Sequence, residues 1–122
     1  MRNRCLGKKV RGKSVQAWAS VAYMGGEDRE KAERELEQLR GSLIGYAREY
    51  VGRTSFAKMC FVSDGVGVNK YSGYLVAGVS FVAPKVLFDA EKFKMEAREI
   101  IKGVLSEEVL RDTKVIVRVS AA

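Results

Sequence analysis

The order of elements along this chain predicts an α+β fold of ferredoxin-like type, β-α-β-β-α-β. In that fold a four-stranded antiparallel sheet carries two helices on one face. Two segments have the apolar period of a helix, and segments rich in Val, Phe and Tyr lie before, between and after them. The 122 residues are enough for one domain with its own core. We therefore interpret residues 14–122 as a single α+β domain and residues 1–13 as a basic flexible arm.

Residues 14–24 form the first element, and two periods fit them. As a strand, they place Val15, Ala17 and Val21 on one face. As a helix, they begin at Ser14 as N-cap and contain several alanines, which favour helix. We adopt the strand because it completes the ferredoxin-like order, while the segment itself leaves both open.

The first helix is predicted over residues 27–51, where apolar side chains recur at steps of three and four. Gly52 follows as a C-terminal cap. Two strands are predicted over residues 56–63 and 71–82, and residues 64–70 between them have the glycines and Asn of a hairpin connection. The apolar stripe of the helix consists of Ala32, Leu36, Leu39, Leu43, Tyr46 and Tyr50.

The second helix is predicted to begin after Asp89, an N-cap residue flanked by Phe88 and Phe93 as a hydrophobic staple. Ser106 can cap a short additional turn. Residues 114–120 alternate valine with other side chains and form the last predicted strand. These elements complete the four strands and two helices.

Positive charge is concentrated at the start of the chain. The net charge is +7, and the first 13 residues contain six basic side chains and no acidic one. The rest of the chain has 16 basic and 15 acidic residues, so it is nearly neutral. Such an arm attracts phosphates, because neutralising them releases counterions. The candidate phosphate contacts in the arm are Arg2, Arg4, Lys8, Lys9, Arg11 and Lys13.

Residues 7–14 also match the P-loop pattern, Gly-x-x-x-x-Gly-Lys-Ser/Thr. A P-loop requires a buried strand before its first glycine and a helix beginning at its lysine. Residues 1–6 are too short and too charged for that strand, and the sheet is predicted to be antiparallel. We therefore prefer a basic arm. With no His and no nucleophile motif, the sequence indicates no catalytic residue, no cofactor and no metal site.

The sheet face opposite the helices, called the outer face below, is predicted to be open and to bind bases. If Val15, Ala17 and Val21 face the helices, Trp18 lies on the outer face, beside Tyr74 of the third strand. Lys114 and Arg118 follow on the neighbouring strand, and Lys70 precedes Tyr74. Aromatic rings flanked by cations stack unpaired bases and attract phosphates.

The segment 70–77 partly resembles the RNP1 motif of RNA-recognition motifs. Lys70, Gly73 and Tyr74 agree with that motif. Ser72 stands where a stacking aromatic is required. No family is assigned on this resemblance.

These observations favour a small nucleic-acid-binding protein, with single strands as the favoured ligand and RNA or DNA left open. The alternative is an assembly or partner-binding domain without catalytic activity. In that alternative, the outer face and the long helix pack against further copies of the chain, as a homo-oligomer, or against another protein. An enzyme is not indicated.

Composition adds three expectations. Cys5 and Cys60 are the only cysteines, so a zinc site is not expected, and whether they pair stays open. Asn and Gln are few while Lys, Glu and Arg are abundant, as in hyperthermophile proteins. The longest apolar run, residues 75–83, is too short to cross a membrane, and no secretory signal is evident. A cytoplasmic location without membrane contact is expected.

Overall fold

A computed structural model of the chain describes residues 13–63, 65–68 and 73–121. Residues 1–12 of the predicted arm, which include Cys5, therefore lie outside the described residues. The described chain has α+β architecture, which confirms the predicted class. Its elements are β1 (Ser14–Tyr23), α1 (Arg29–Gly52), β2 (Lys58–Val62), β3 (Gly67–Val68), β4 (Leu75–Pro84), a 3-10 helix (Lys85–Leu87), α2 (Ala90–Val104), α3 (Glu107–Arg111) and β5 (Thr113–Ala121).

The sheet is antiparallel throughout its described part, with strand order β2-β4-β1-β5, and the short β3 pairs with the start of β4. β1 is a ten-residue strand whose side chains alternate between half-buried and buried. It pairs along its length with β4 and over nine of its residues with β5. The strand interpretation of this ambiguous segment is thus confirmed.

The core lies between one face of the sheet and helices α1 and α2. The apolar stripe of α1 is buried at Ala32, Leu36, Leu39 and Leu43, as predicted. Buried side chains of β1 and β4 meet this stripe and the inner side of α2, which contributes Phe93, Ala97 and Ile101. The strand contributions to the core are Ala17, Ala19, Val21 and Tyr23 from β1, Leu75, Ala77, Val79 and Phe81 from β4, and Val117 from β5.

Three predicted local features of the second half are confirmed. The Asp89 side chain accepts a hydrogen bond from the backbone N–H of Lys92 at 3.1 Å, which caps α2. The rings of Phe88 and Phe93 lie 5.6 Å apart, as a hydrophobic staple requires. The Ser106 hydroxyl accepts from the backbone N–H of Val109 at 3.4 Å and caps α3.

A hydrogen bond between Tyr46 and Glu96 joins helices α1 and α2. The Tyr46 hydroxyl donates to Glu96 Oε1 at 2.7 Å. Burial first, and then this carboxylate acceptor, raise the pKa of Tyr46 above its ordinary value of 10.0. Because the pKa of Tyr46 is higher in the folded state than in the unfolded state, the hydrogen bond contributes fully to stability below pH 10.0. Its contribution is lost as the pH rises further, since the unfolded chain then loses the proton first.

We expect Tyr46→Phe to lower the free energy of unfolding by about 1 kcal/mol at neutral pH, because one hydrogen bond is lost. The difference between the wild-type protein and the variant should shrink above pH 10.0. Urea unfolding at neutral and alkaline pH measures both effects. A difference that stays constant through the alkaline range would contradict the assignment.

Candidate nucleic-acid interface

The outer face of the sheet is formed by alternate residues of four strands. The pairing register places them in rows that cross the sheet. The described residues on this face are Gln16, Trp18, Ser20 and Ala22 from β1, Val76, Gly78, Ser80 and Val82 from β4, Lys58 and Phe61 from β2, and Lys114, Ile116, Arg118 and Ser120 from β5.

The central row contains a stacked pair of aromatic rings. Trp18 is paired with Arg118 on one side and with Ser80 on the other, and Ser80 is paired in turn with Phe61. The rings of Trp18 and Phe61 lie 5.6 Å apart with an interplanar angle of 13°. Ser80, the small residue between their strands, is fully buried. We call Trp18 and Phe61 the ring pair.

A β-bulge in β2 places Phe61 on the outer face. Lys58 pairs with Val82, so simple alternation would set Cys60 opposite Ser80 and point Phe61 towards the helices. The register shifts between Met59 and Phe61, and Phe61 becomes the partner of Ser80. A bulge inserts one residue and redirects the side chains that follow it. The ring pair therefore depends on this irregularity.

Hydrogen bonds hold the polar neighbours of the ring pair. The indole Nε1–H of Trp18 donates to Ser20 Oγ at 2.9 Å, which fixes the rotation of the ring. Gln16 Nε2 donates to Ser80 Oγ at 3.2 Å. Trp18 is half-buried, and Phe61 remains 36% exposed. A ring held in place before binding loses little conformational entropy when a ligand stacks on it.

The charged residues in the described strands of this face are all basic. None of the 15 Asp and Glu residues of the chain lies in a described strand. The cations of the described strands are Lys58 on β2 and Lys114 and Arg118 on β5, and all three belong to the outer face. Lys114 and Arg118 are exposed, and Lys58 is half-buried. The ring pair thus lies between cations at both edges of the sheet.

Gly78 marks a close approach between β4 and β1 on the same face. A Cβ atom at this position would lie 2.5 Å from Ser20 Cβ and 3.0 Å from the backbone oxygen of Ala19. We expect Gly78→Ala to lower the free energy of unfolding by about 1–3 kcal/mol, because backbone atoms must move to admit the methyl group. Urea unfolding measures the loss.

The matched control for this change is Gly45→Ala in α1, where a Cβ atom would meet nothing within 4 Å. Alanine in a helix interior should stabilise the protein by about 0.5–1 kcal/mol relative to glycine. Equal stability of Gly78→Ala and the wild-type protein would show that β1 and β4 are farther apart than described.

The predicted site residues divide into three groups. Trp18, Lys114 and Arg118 lie on the outer face, as expected. Arg118 is the strand partner of Trp18, and Lys114 lies four residues from Arg118, about 13 Å along β5. Lys13 is exposed immediately before β1. The others, apart from Tyr74, lie outside the described residues: Arg2, Arg4, Lys8, Lys9, Arg11 and Lys70. Ser72, which occupies a stacking position of the partial RNP1 match, also lies outside them.

Tyr74 does not lie beside Trp18, and that part of the prediction is wrong. Tyr23, the last residue of β1, pairs with Leu75, so Tyr74 precedes β4 at the far end of this ladder. It is six residues from Ser80, the partner of Trp18, a separation of about 20 Å along a strand. Tyr74 is 37% exposed. The ring beside Trp18 is Phe61, which the sequence analysis missed together with Lys58.

The described residues offer no context for a nucleotide-binding P-loop. Ser14, the last residue of the matching segment, begins β1, where a P-loop requires a helix. Residues 7–12 of the segment are outside the described chain. Among the described residues, no three His, Cys, Asp or Glu side chains are grouped to hold a metal ion. In the same residues, no helix is both long and apolar enough to span a membrane.

Comparisons of the chain with protein-family models, with curated proteins and with solved structures give no match.

Proposed function

We propose that this protein binds single-stranded nucleic acid on the outer face of its sheet. Bases stack on the ring pair, while Lys58, Lys114 and Arg118 contact phosphates. The observation that carries the proposal is a stacked aromatic pair at the centre of a sheet face that has cations and no acidic residue in its described strands. Aromatic side chains bind bases of any sequence, because every base has a π-face.

The spacing of the cations supports a ligand that crosses the sheet. Lys58 on β2 and Arg118 on β5 are separated by three strand spacings and an offset of two residues, about 16 Å in all. The ring pair lies between them, so a base can stack at the centre while neighbouring phosphates approach both edges. The bases of a duplex are paired and stacked on each other, and a flat sheet face cannot reach their π-faces. This geometry therefore favours single strands.

The ferredoxin-like arrangement belongs to the same proposal. When β3 is treated as part of the hairpin connection, the remaining strands alternate with α1 and α2 as β-α-β-β-α-β. The helices then cover one face and leave the other for a ligand. The basic arm of residues 1–13 adds up to six phosphate contacts, and binding to intracellular nucleic acid agrees with the cytoplasmic location expected from the sequence.

Fluorescence of Trp18, the only tryptophan, tests the proposal. Titration with a single-stranded oligonucleotide should quench the emission, and a duplex of the same sequence should quench it much less. The logarithm of the affinity should fall linearly with the logarithm of the salt concentration, by about 0.7 per phosphate contact on a single strand. Three cations of the outer face alone give a slope of about 2. If filter retention detected binding while the emission of Trp18 stayed unchanged, the bases would not stack on the ring pair.

A further inference from the structure

Strand β5 presents a long, regular edge. It is the outermost strand of the sheet and, in the described chain, pairs only with β1. Its pairing with β1 continues from Thr113 to Ala121 without a register shift. The opposite edge, β2, is broken by a bulge. An edge strand exposes a row of backbone N–H and C=O groups that can pair with another strand.

We propose that β5 pairs antiparallel with β5 of a second copy of this chain, about a two-fold axis at Val117. Two sheets then join into one continuous sheet. The interface goes beyond the proposed function and does not depend on it, because only strand edges and helix flanks form the contact.

The sequence of β5 selects this register. Val117 is the midpoint of Thr113–Ala121, so all nine residues pair when the axis passes through it. On the helix side of the sheet, Val115 then faces Val119 of the second copy. An antiparallel pair of β-branched residues stabilises the ladder. A more distant axis would leave part of the strand unpaired.

The cations of β5 disfavour the two neighbouring registers. With the axis at Val117, Lys114 faces Ser120 of the second copy, and Arg118 faces Ile116 of the second copy. The two Arg118 residues are then only diagonal neighbours, about 7 Å apart. An axis at Ile116 would place Lys114 opposite Arg118, and an axis at Arg118 would place that residue opposite itself. Like charges directly opposite each other destabilise a strand pair.

Helix α2 supplies charge complementarity for a second copy. It packs on the part of the sheet formed by β1 and β5, so its flank lies near the proposed axis. Glu91 in its first turn and Lys102 in its last turn are exposed and line the same open groove. A two-fold axis sets the two α2 helices antiparallel, and Glu91 then approaches Lys102 of the second copy. Glu91 already lies 3.8 Å from Lys94 of its own helix, so the contact with Lys102 of the second copy would add to that ion pair.

The joined sheet would place two outer faces side by side. The two Trp18 side chains would be separated by three strand spacings and an offset of two residues, about 16 Å in all. The cations of both β5 strands would lie between the two ring pairs.

A charge exchange between Ser120 and Lys114 tests the interface. Sedimentation equilibrium of the full chain should show a dimer. Ser120→Arg sets an arginine opposite Lys114 of the second copy, twice per dimer, and should raise the dimer dissociation constant about 2- to 30-fold. Adding Lys114→Glu to this variant should restore the dimer. The two positions are six residues apart in one strand, about 20 Å, so the restoration must come from the second copy.

The matched control is Val86→Arg, which adds the same charge at a side chain that is 91% exposed on the 3-10 helix and should leave the dissociation constant unchanged. Ser120 is exposed, so Ser120→Arg should keep its melting temperature. A wild-type chain that is monomeric at all concentrations would overturn the proposal. This holds even if the edge of β5 were then found to pair with a peptide of another protein. A dimer unaffected by Ser120→Arg, or not restored by Lys114→Glu, would also overturn it.

Discussion

Replacing Phe81 with alanine is expected to lower the free energy of unfolding by about 3–5 kcal/mol. Phe81 is 1% exposed on the helix side of β4. Its ring lies 5.1 Å from Tyr50, 5.9 Å from Phe88 and 5.7 Å from Phe93. Alanine would leave a cavity among these rings, and close-packed neighbours fill such a cavity only in part. Urea unfolding measures the loss.

Phe61→Ala is the matched control, because the same side chain lies on the other face of the sheet. Phe61 is 36% exposed and stacks on Trp18. Its removal should cost about 2 kcal/mol, less than at Phe81, because both the aromatic pair and the burial of the covered part of the ring are lost. Losses of equal size at Phe61 and Phe81 would mean that both faces of the sheet are core, and the outer face would then have no room for a ligand.

The second large effect is expected on binding. Trp18→Ala and Phe61→Ala should each weaken the binding of a single-stranded oligonucleotide by about 1–3 kcal/mol, the usual contribution of one stacked base. The double variant should lose more than either single variant. Its loss should differ from the sum of the two, because the rings contact each other and each supports the other.

Two further variants show whether a loss of affinity is specific to the ring pair. Met95→Ala removes an exposed apolar side chain from α2, outside the outer face, and should not change the affinity. Tyr74→Ala should weaken only the binding of oligonucleotides long enough to reach about 20 Å from the ring pair. Unchanged affinity in the double variant, with its fold retained, would leave the basic arm as the only candidate site. Dissociation of an oligomer by the same variant would instead favour packing of the outer face against another copy.

The elements of this fold follow from local patterns that act within a few residues. Asp89 and Ser106 are predicted as helix caps because a cap needs only a side-chain oxygen near the first free N–H groups. The buried stripe of α1 is evident because its period matches the helix turn. The choice of strand for β1 needed the whole topology, since alanine-rich alternation fits both periods and only the partner strands decide between them.

Only part of the candidate site can be predicted from the sequence. Trp18, Lys114 and Arg118 follow from strand alternation alone. Phe61 depends on a bulge, and no residue of β2 signals that its register with β4 shifts by one. Alternation gives the face of a residue but not its position along the partner strand, so it cannot place Tyr74 relative to Trp18. That position depends on the register, in which Trp18 pairs with Ser80.

The central claim, that bases stack on the ring pair, is tested most directly by magnetic resonance of the Trp18 indole. Trp18 is the only tryptophan, so its indole N–H gives a single side-chain signal in an amide proton–nitrogen correlation spectrum. Addition of a single-stranded oligonucleotide should shift this signal, together with the signals of Gln16 and Arg118 in the rows around it, and should leave Met95 on α2 unchanged. Shifts confined to the basic arm, with the indole signal unmoved at saturation, would contradict the proposed binding site.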